Sequence, residues 1–159
     1  MTKEQIQEFT RRTTQENHSG LILVLCDIVR TYTNDALTAY AAGDSDGYMT
    51  NVEAARRAHN ELMDCFDAAN YHGRKVLSVL RYIYGQYVIS VIKREPIDLD
   101  RCMEMLDSLR VSFEHLHSID PEGPVMKNTH QVYAGLTYGK GMLNESTLCS
   151  DYSNRGYQI

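Results

Sequence analysis

A run of seven side chains between residues 48 and 69 sets the strongest constraint on what this chain can fold into. Their positions alternate in steps of four and three residues, the spacing that keeps side chains on one face of an α-helix. The seven residues are Tyr48, Val52, Ala55, His59, Leu62, Phe66 and Ala69. The spacing therefore predicts an amphipathic helix that buries this face against other helices.

Three positions divide the neighbouring sequence into segments that are each long enough for a helix. Gly43 and Gly73 are expected just past helix ends, where glycine is the favoured residue, and Pro96 cannot continue a helix. A second regular apolar series runs from Leu99 to Leu116 after this proline. The predicted helices cover residues 18–42, 45–70, 74–95 and 98–118.

The connections between these helices are short, which favours an antiparallel arrangement of neighbours. The sequence therefore predicts an all-α fold, an antiparallel four-helix bundle over residues 17–118, with Asn17 as the N-cap of its first helix. An N-terminal arm over residues 1–16 precedes the bundle. A tail over residues 119–159, which holds half of the ten glycines and four tyrosines, is expected to be irregular. The predicted core includes Leu62, Phe66, Leu80, Ile83, Leu106 and Leu109.

The charge balance and the apolar segments argue against several classes of protein. Sixteen basic and 21 acidic residues give a formal net charge of −5, which argues against binding to the phosphates of nucleic acid. The longest apolar run, Leu21 to Cys26, is far shorter than the roughly 20 residues that cross a bilayer, so no membrane insertion is expected. The first residues lack the basic and apolar segments of a secretory signal. We therefore expect a cytoplasmic protein.

The sequence offers no complete set of residues for catalysis or metal binding. The four cysteines are 39, 37 and 47 residues apart, which gives no metal or redox motif. Glu114 and His117 form a single Glu-x-x-His pair, whereas a carboxylate-bridged metal site in a bundle needs two such pairs. Gly135 and Lys140 lie in a segment that lacks the spacing of a phosphate-binding loop. We therefore expect no catalytic residue, no metal, no cofactor and no enzyme activity.

Two predicted helices carry more apolar residues than one bundle stripe needs. These residues are Ile22, Cys26 and Val29 on the first helix and Tyr82, Ile89 and Ile92 on the third. Such second stripes either widen the core or form a groove that binds an amphipathic segment of a partner. Ile6 and Phe9 in the arm either cover such a groove or grip the partner, and the sequence leaves both alternatives open.

Several short blocks resemble those of a known family, in the same order and spacing. Leu21-Ile-Leu-Val-Leu-Cys-Asp resembles the Leu-Ile-Leu-Met-Leu-Tyr-Asp block of FliS, the family of flagellar secretion chaperones. Asn60-Glu-Leu-Met is similar to the family's Gln-Glu-Leu-Met. Tyr82 falls on the second tyrosine of its Tyr-Asp-Tyr-Met block, and Leu109-Arg110 falls on its Glu-Leu-Arg.

The resemblance extends without a gap over residues 17–116, and it includes departures from the family pattern. Asn17-His18 stand where the family has Ser/Thr-Pro, and Cys26 replaces its usual tyrosine. Phe9 is the best match for the family's N-terminal tyrosine, one residue out of register. The tail from Gly123 onward lies outside the matched region.

The resemblance implies a chaperone that binds the C-terminal segment of flagellin, prevents its premature polymerisation and supports its delivery to the export gate of the flagellar type III apparatus. A helical adaptor for another export substrate or regulator would share the same physical features and is the alternative. The expected flagellin-binding residues are Phe9, Ile22, Cys26, Val29, Tyr82, Ile89 and Ile92. The sequence leaves open whether the free chain forms a homodimer.

Overall fold

Five α-helices make up the part of the chain that a computed structural model describes, residues 1–126. They are α1 (Lys3–Gln15), α2 (His18–Ala41), α3 (Ser45–Asp64), α4 (Tyr71–Lys93) and α5 (Leu99–Ile119). No strand occurs within residues 1–126, so the predicted all-α class is confirmed. The N-terminal arm, for which no helix was predicted, is itself helical. Most of the tail that was expected to be irregular lies outside the described residues.

The junction between α3 and α4 differs from the sequence prediction. Helix α3 ends at Asp64, six residues earlier than predicted, and α4 begins before Gly73 because the Asn70 side chain accepts a hydrogen bond from the backbone N–H of His72. Gly73 therefore lies inside the first turn of α4, and its predicted place past a helix end is wrong. A Cβ atom at this position would come within 2.2 Å of the Asp67 carbonyl oxygen, so the close approach of the preceding loop requires glycine.

Helices α2 to α5 form a ring in which each helix packs against the next and α5 packs against α2. Neighbours run in opposite directions. Near the start of α3, the Tyr48 hydroxyl donates to the carbonyl of Ser90 near the end of α4, at 3.4 Å. Near the start of α2, the Ser19 hydroxyl donates to Oδ2 of Asp120, which caps the end of α5, at 2.7 Å. The predicted antiparallel four-helix bundle is confirmed.

The core of the bundle contains the apolar face of α3 that the spacing predicted. Five of its seven residues are fully buried, and they are Tyr48, Val52, Ala55, His59 and Leu62. Phe66 is half-buried and packs against the core, whereas Ala69 lies exposed beyond the end of the helix. Of the other predicted core residues, Leu80, Ile83 and Leu106 are buried and Leu109 is half-buried.

Two hydrogen bonds between polar groups link helices inside the core. The hydroxyls of Thr33 on α2 and Tyr87 on α4 lie 2.6 Å apart, which links the two helices that face each other across the ring. His59 Nε2 on α3 lies 2.8 Å from the Leu80 carbonyl oxygen on α4. Because an unpaired buried polar group is costly, these bonds favour one register of the helices.

Helix α1 packs along the outside of α2 and runs antiparallel to it. Arg12 Nη1 lies 2.9 Å from Asp27 Oδ2, and the amino group of Met1 lies 2.5 Å from Asp35 Oδ2. Helical phase turns Val24 of α2 away from the four-helix core, yet its side chain is only 1% exposed. We attribute this burial to α1, so α2 is covered on both sides.

Candidate functional site

The side of α4 that points away from the core carries a line of exposed apolar residues. Tyr82 is 39% exposed, Ile89 is 38% exposed and Ile92 is 75% exposed. Together with Gly85 they follow steps of three, four and three residues, so they share one face of the helix. We call these four residues the α4 face. A line of large exposed apolar side chains is typical of a surface that binds another protein.

Gly85 interrupts the α4 face near the middle of the helix. Glycine inside a helix costs about 1 kcal/mol relative to alanine. A Cβ atom added at Gly85 would meet no heavy atom within 4 Å, so packing within residues 1–126 does not require glycine there. The missing side chain leaves a place where another backbone can approach α4 closely. Sequence reasoning missed this residue, although its spacing from Tyr82 and Ile89 was available as a signal.

The charges on α4 also set it apart from the rest of the bundle. The helix carries Arg74, Lys75, Arg81 and Lys93 and no acidic residue, in a chain whose net charge is −5. Each of the other four described helices carries both acidic and basic residues. The exposed apolar line therefore lies on the most basic helix in the described part of the chain.

The apolar residues predicted as a second stripe on α2 lie elsewhere. Cys26 and Val29 are 2% and 0% exposed and belong to the core, so the prediction that they lie off the core stripe is wrong. Burial raises the pKa of the Cys26 thiol to about 12. Ile22 is half-buried beside Cys26, in an apolar recess too narrow to admit a water molecule. Because α2 and α4 lie on opposite sides of the ring, these residues do not join the α4 face in one patch.

The reason for this error is that the start of α2 is apolar on nearly every side. Within Leu21 to Cys26, several different faces satisfy helical spacing. One such face includes Leu25 and Ile28, which are half-buried, while the neighbouring face with Cys26 and Val29 occupies the centre of the bundle. Because α1 packs on the outer side of α2, apolar residues are needed on both sides of this helix.

Phe9, the remaining predicted site residue, lies on α1. Its ring is half-buried, and the Arg12 guanidinium carbon lies 6.0 Å from the ring centroid. Ile6, one turn earlier, is 48% exposed. Since α1 packs along α2, the structure does not bring Phe9 together with the α4 face.

A polar cluster that the sequence did not reveal joins the start of α2 to the end of α5. The Ser19 hydroxyl lies 2.7 Å from Asp120 Oδ2 and 3.2 Å from His117 Nδ1. These residue types occur in catalytic triads, but here His117 Nδ1 also lies 3.0 Å from Oδ1 of Asn17, the residue that caps α2. These hydrogen bonds therefore extend the N-terminal cap of α2 and link it to the end of α5.

Comparisons of the chain with models of known protein families, with curated proteins and with solved structures give no match. Within residues 1–126, no three His, Cys, Asp or Glu side chains are grouped so that they could hold a metal ion. None of the five described helices has the length and apolar character needed to cross a membrane. The α4 face, an exposed apolar line on the most basic described helix, is the surface from which we infer a function.

Proposed function

We propose that this protein is a cytoplasmic export chaperone whose α4 face binds the C-terminal segment of flagellin. The observation that carries the proposal is the exposed apolar line on α4, which lies on a bundle with a well-packed core. The sequence blocks that resemble the FliS family, from Leu21 to Arg110, support flagellin as the partner. The bound segment would be kept from polymerising until the chaperone delivers it to the flagellar export gate.

The size of the α4 face favours reversible binding. Complete burial of a large apolar side chain is worth roughly 1.5–3 kcal/mol, and Tyr82, Ile89 and Ile92 are already partly covered in the free protein. A flexible segment also loses conformational entropy when it becomes ordered on the surface. The net affinity is therefore expected to be moderate, which suits a chaperone that must release its cargo for export.

The proposal separates the predicted binding residues into groups. Tyr82, Ile89 and Ile92 are the proposed contacts, whereas Cys26 and Val29 contribute to the core that holds the helices in place. Ile22 and Phe9 lie outside the α4 face, and their contact with flagellin stays a prediction.

Co-expression with the flagellin of the same cell, followed by gel filtration, tests the proposal. We expect flagellin to elute with the wild-type protein and to be lost from the Ile89→Asp variant, because a charge would then be buried in the interface. Val111→Asp is the matched control, since Val111 is a 62% exposed apolar residue on α5. Retention of flagellin by Ile89→Asp would contradict the use of the α4 face.

A pull-down from cell extract distinguishes flagellin from other cargo. Flagellin is expected as the dominant protein captured by the wild-type chain. Dominance of a different export substrate or regulator would instead support the helical adaptor and would contradict a flagellin chaperone.

A further inference from the structure

Two of the basic residues on α4 already have neutral partners within the chain. Arg74 Nη1 donates to the carbonyl oxygens of Ala68 and Ala69, at 3.2 and 2.8 Å. Lys75 Nζ lies 4.6 Å from the centroid of the Tyr71 ring. The two cations in the first half of the helix are therefore paired with neutral groups and need no carboxylate partner.

The other two cations border the α4 face. Arg81 lies one helical turn before Gly85, and Lys93 lies one turn after Ile89. Neither forms an ion pair with a carboxylate within residues 1–126, although α3 and α5, the neighbours of α4, are rich in acidic residues. Helical phase places the two cations on opposite flanks of the apolar line. A partner segment that lies along the α4 face would therefore pass between two positive charges.

We infer that the α4 face accepts an amphipathic helical segment that carries acidic side chains on both flanks of its apolar stripe and a small residue opposite Gly85. Its acidic flanks would meet Arg81 and Lys93, and the small residue would allow the two helix backbones to approach closely. That this segment belongs to flagellin rests on the proposed function, whereas its chemistry follows from α4.

Charge argues against two other occupants of this surface. A second copy of the chain that docked through its own α4 would bring like charges together. Residues 127–159 carry Lys127, Lys140 and Arg155 against only Glu145 and Asp151, so that segment offers no acidic stripe to match α4. An acidic helix from a partner satisfies the basic flanks better than either.

Two designed peptides of about 18 residues, or five helical turns, provide the probe. They share one Leu/Ala apolar stripe and differ only in flanks of Glu or Lys, and fluorescence anisotropy measures their binding to the full-length protein at low salt. We expect the Glu peptide to bind about tenfold more tightly than the Lys peptide. Combined Arg81→Glu and Lys93→Glu substitutions are expected to reverse this preference, whereas Arg57→Glu, on the exposed side of α3, is expected to leave it unchanged.

Substitution of Gly85 tests the close approach separately. Gly85→Leu is expected to weaken binding of the Glu peptide about fivefold or more, because the new side chain holds the helices apart. Ser108→Leu, which adds the same side chain at an exposed position on α5, is the control for added surface hydrophobicity. Circular dichroism of each variant, including its thermal midpoint, verifies that the bundle remains folded.

Several outcomes would overturn the inference. Equal affinity for the two peptides, no binding of the Glu peptide, or no effect of Gly85→Leu would each contradict the assigned chemistry. A wild-type dimer that Ile89→Asp converts to a monomer would identify a second copy as the occupant. If flagellin co-elutes with the protein while the peptides show no charge preference, the inference fails and the proposed function stands. If the Glu peptide binds as expected and flagellin does not co-elute, the surface chemistry is supported and the proposed function fails.

Discussion

His59 is a fully buried imidazole beside the rings of Tyr84 and Tyr87, whose centroids lie 6.5 and 5.6 Å from its own. Its Nε2 lies 2.8 Å from the Leu80 carbonyl oxygen, an acceptor, so this nitrogen carries the proton of the neutral ring. Nδ1 has no hydrogen-bond partner within residues 1–126. Burial lowers the pKa of His59, and the bond to Leu80 only partly offsets this effect. The bundle is therefore built around the neutral form.

This arrangement predicts that acid weakens the fold. Because the folded pKa lies below that of the unfolded chain, the unfolded state takes up a proton first as the pH falls, at about pH 6.5. The contribution of His59 to stability is thus present above about pH 6.5 and is lost as the pH falls toward the lowered pKa. Urea unfolding across this range should show a smaller pH dependence for His59→Gln than for the wild type. Identical pH dependence in both proteins would contradict the role of His59.

Cys26 allows a direct test of which face of α2 lies in the core. In a protein that also carries Cys65→Ser and Cys149→Ser, we expect Cys26 and Cys102 to react with a thiol reagent only when the bundle unfolds. Both thiols are buried, and burial raises the pKa of Cys102 to about 11, as it raises that of Cys26. Rapid reaction of Cys26 in the folded protein would show that its thiol is exposed and would contradict its place in the core.

Sequence reasoning placed the core most completely on α3, whose fully buried side chains lie on a single face. The stripe from Tyr48 to Leu62 on α3 could be predicted because polar residues occupy most of the remaining positions of that helix. The α2 stripe could not, because α2 is packed on both sides and its spacing does not distinguish one face from the other. Gly85 has no apolar side chain, so a search for apolar residues passes over it, although its spacing places it on the candidate site.

Among the elements, α1 is the most polar helix, and ion pairs of Met1 and Arg12 link its two ends to α2. It was missed because Ile6 and Phe9 are too few to form a long apolar stripe. Its start was nevertheless encoded, because Thr2 and Gln5 form a capping box in which each side chain accepts the other's backbone N–H. The start of α2 was predicted correctly because Asn17 was recognised as its N-cap.

Removal of residues 1–14 tests the role of α1. We expect the deletion to lower the free energy of unfolding by about 1–3 kcal/mol, because Val24 becomes exposed and the Arg12 to Asp27 ion pair is lost. Since α1 packs along α2, across the ring from α4, flagellin affinity should change by less than about twofold. Urea unfolding and a binding titration measure the two effects.

The two alternatives for the arm give different results in the same experiment. Much tighter binding after the deletion would show that α1 competes with flagellin for the surface it covers. Much weaker binding would show that α1 grips the partner, with Phe9 as the first residue to test. Either result would contradict a binding surface confined to α4.

At the scale of the whole molecule, the bundle and the exposed face on α4 act together. The buried polar contacts, such as the one between Thr33 and Tyr87, fix the positions of the helices, and this frame holds α4 in place.

A segment that becomes ordered as it docks on such a surface should bind with a clearly negative change in heat capacity. The proposed mechanism uses no nucleotide, so added ATP should leave the affinity for the flagellin segment unchanged.

Calorimetric titration of the C-terminal segment of flagellin into the full-length protein tests the central claim most directly. We predict saturable binding, a negative heat-capacity change, and a loss of several kcal/mol in binding free energy for Ile89→Asp but not for Val111→Asp, with the thermal midpoints of both variants close to that of the wild type. Absence of binding, or binding that Ile89→Asp leaves intact, would contradict a flagellin chaperone that uses the exposed face of α4.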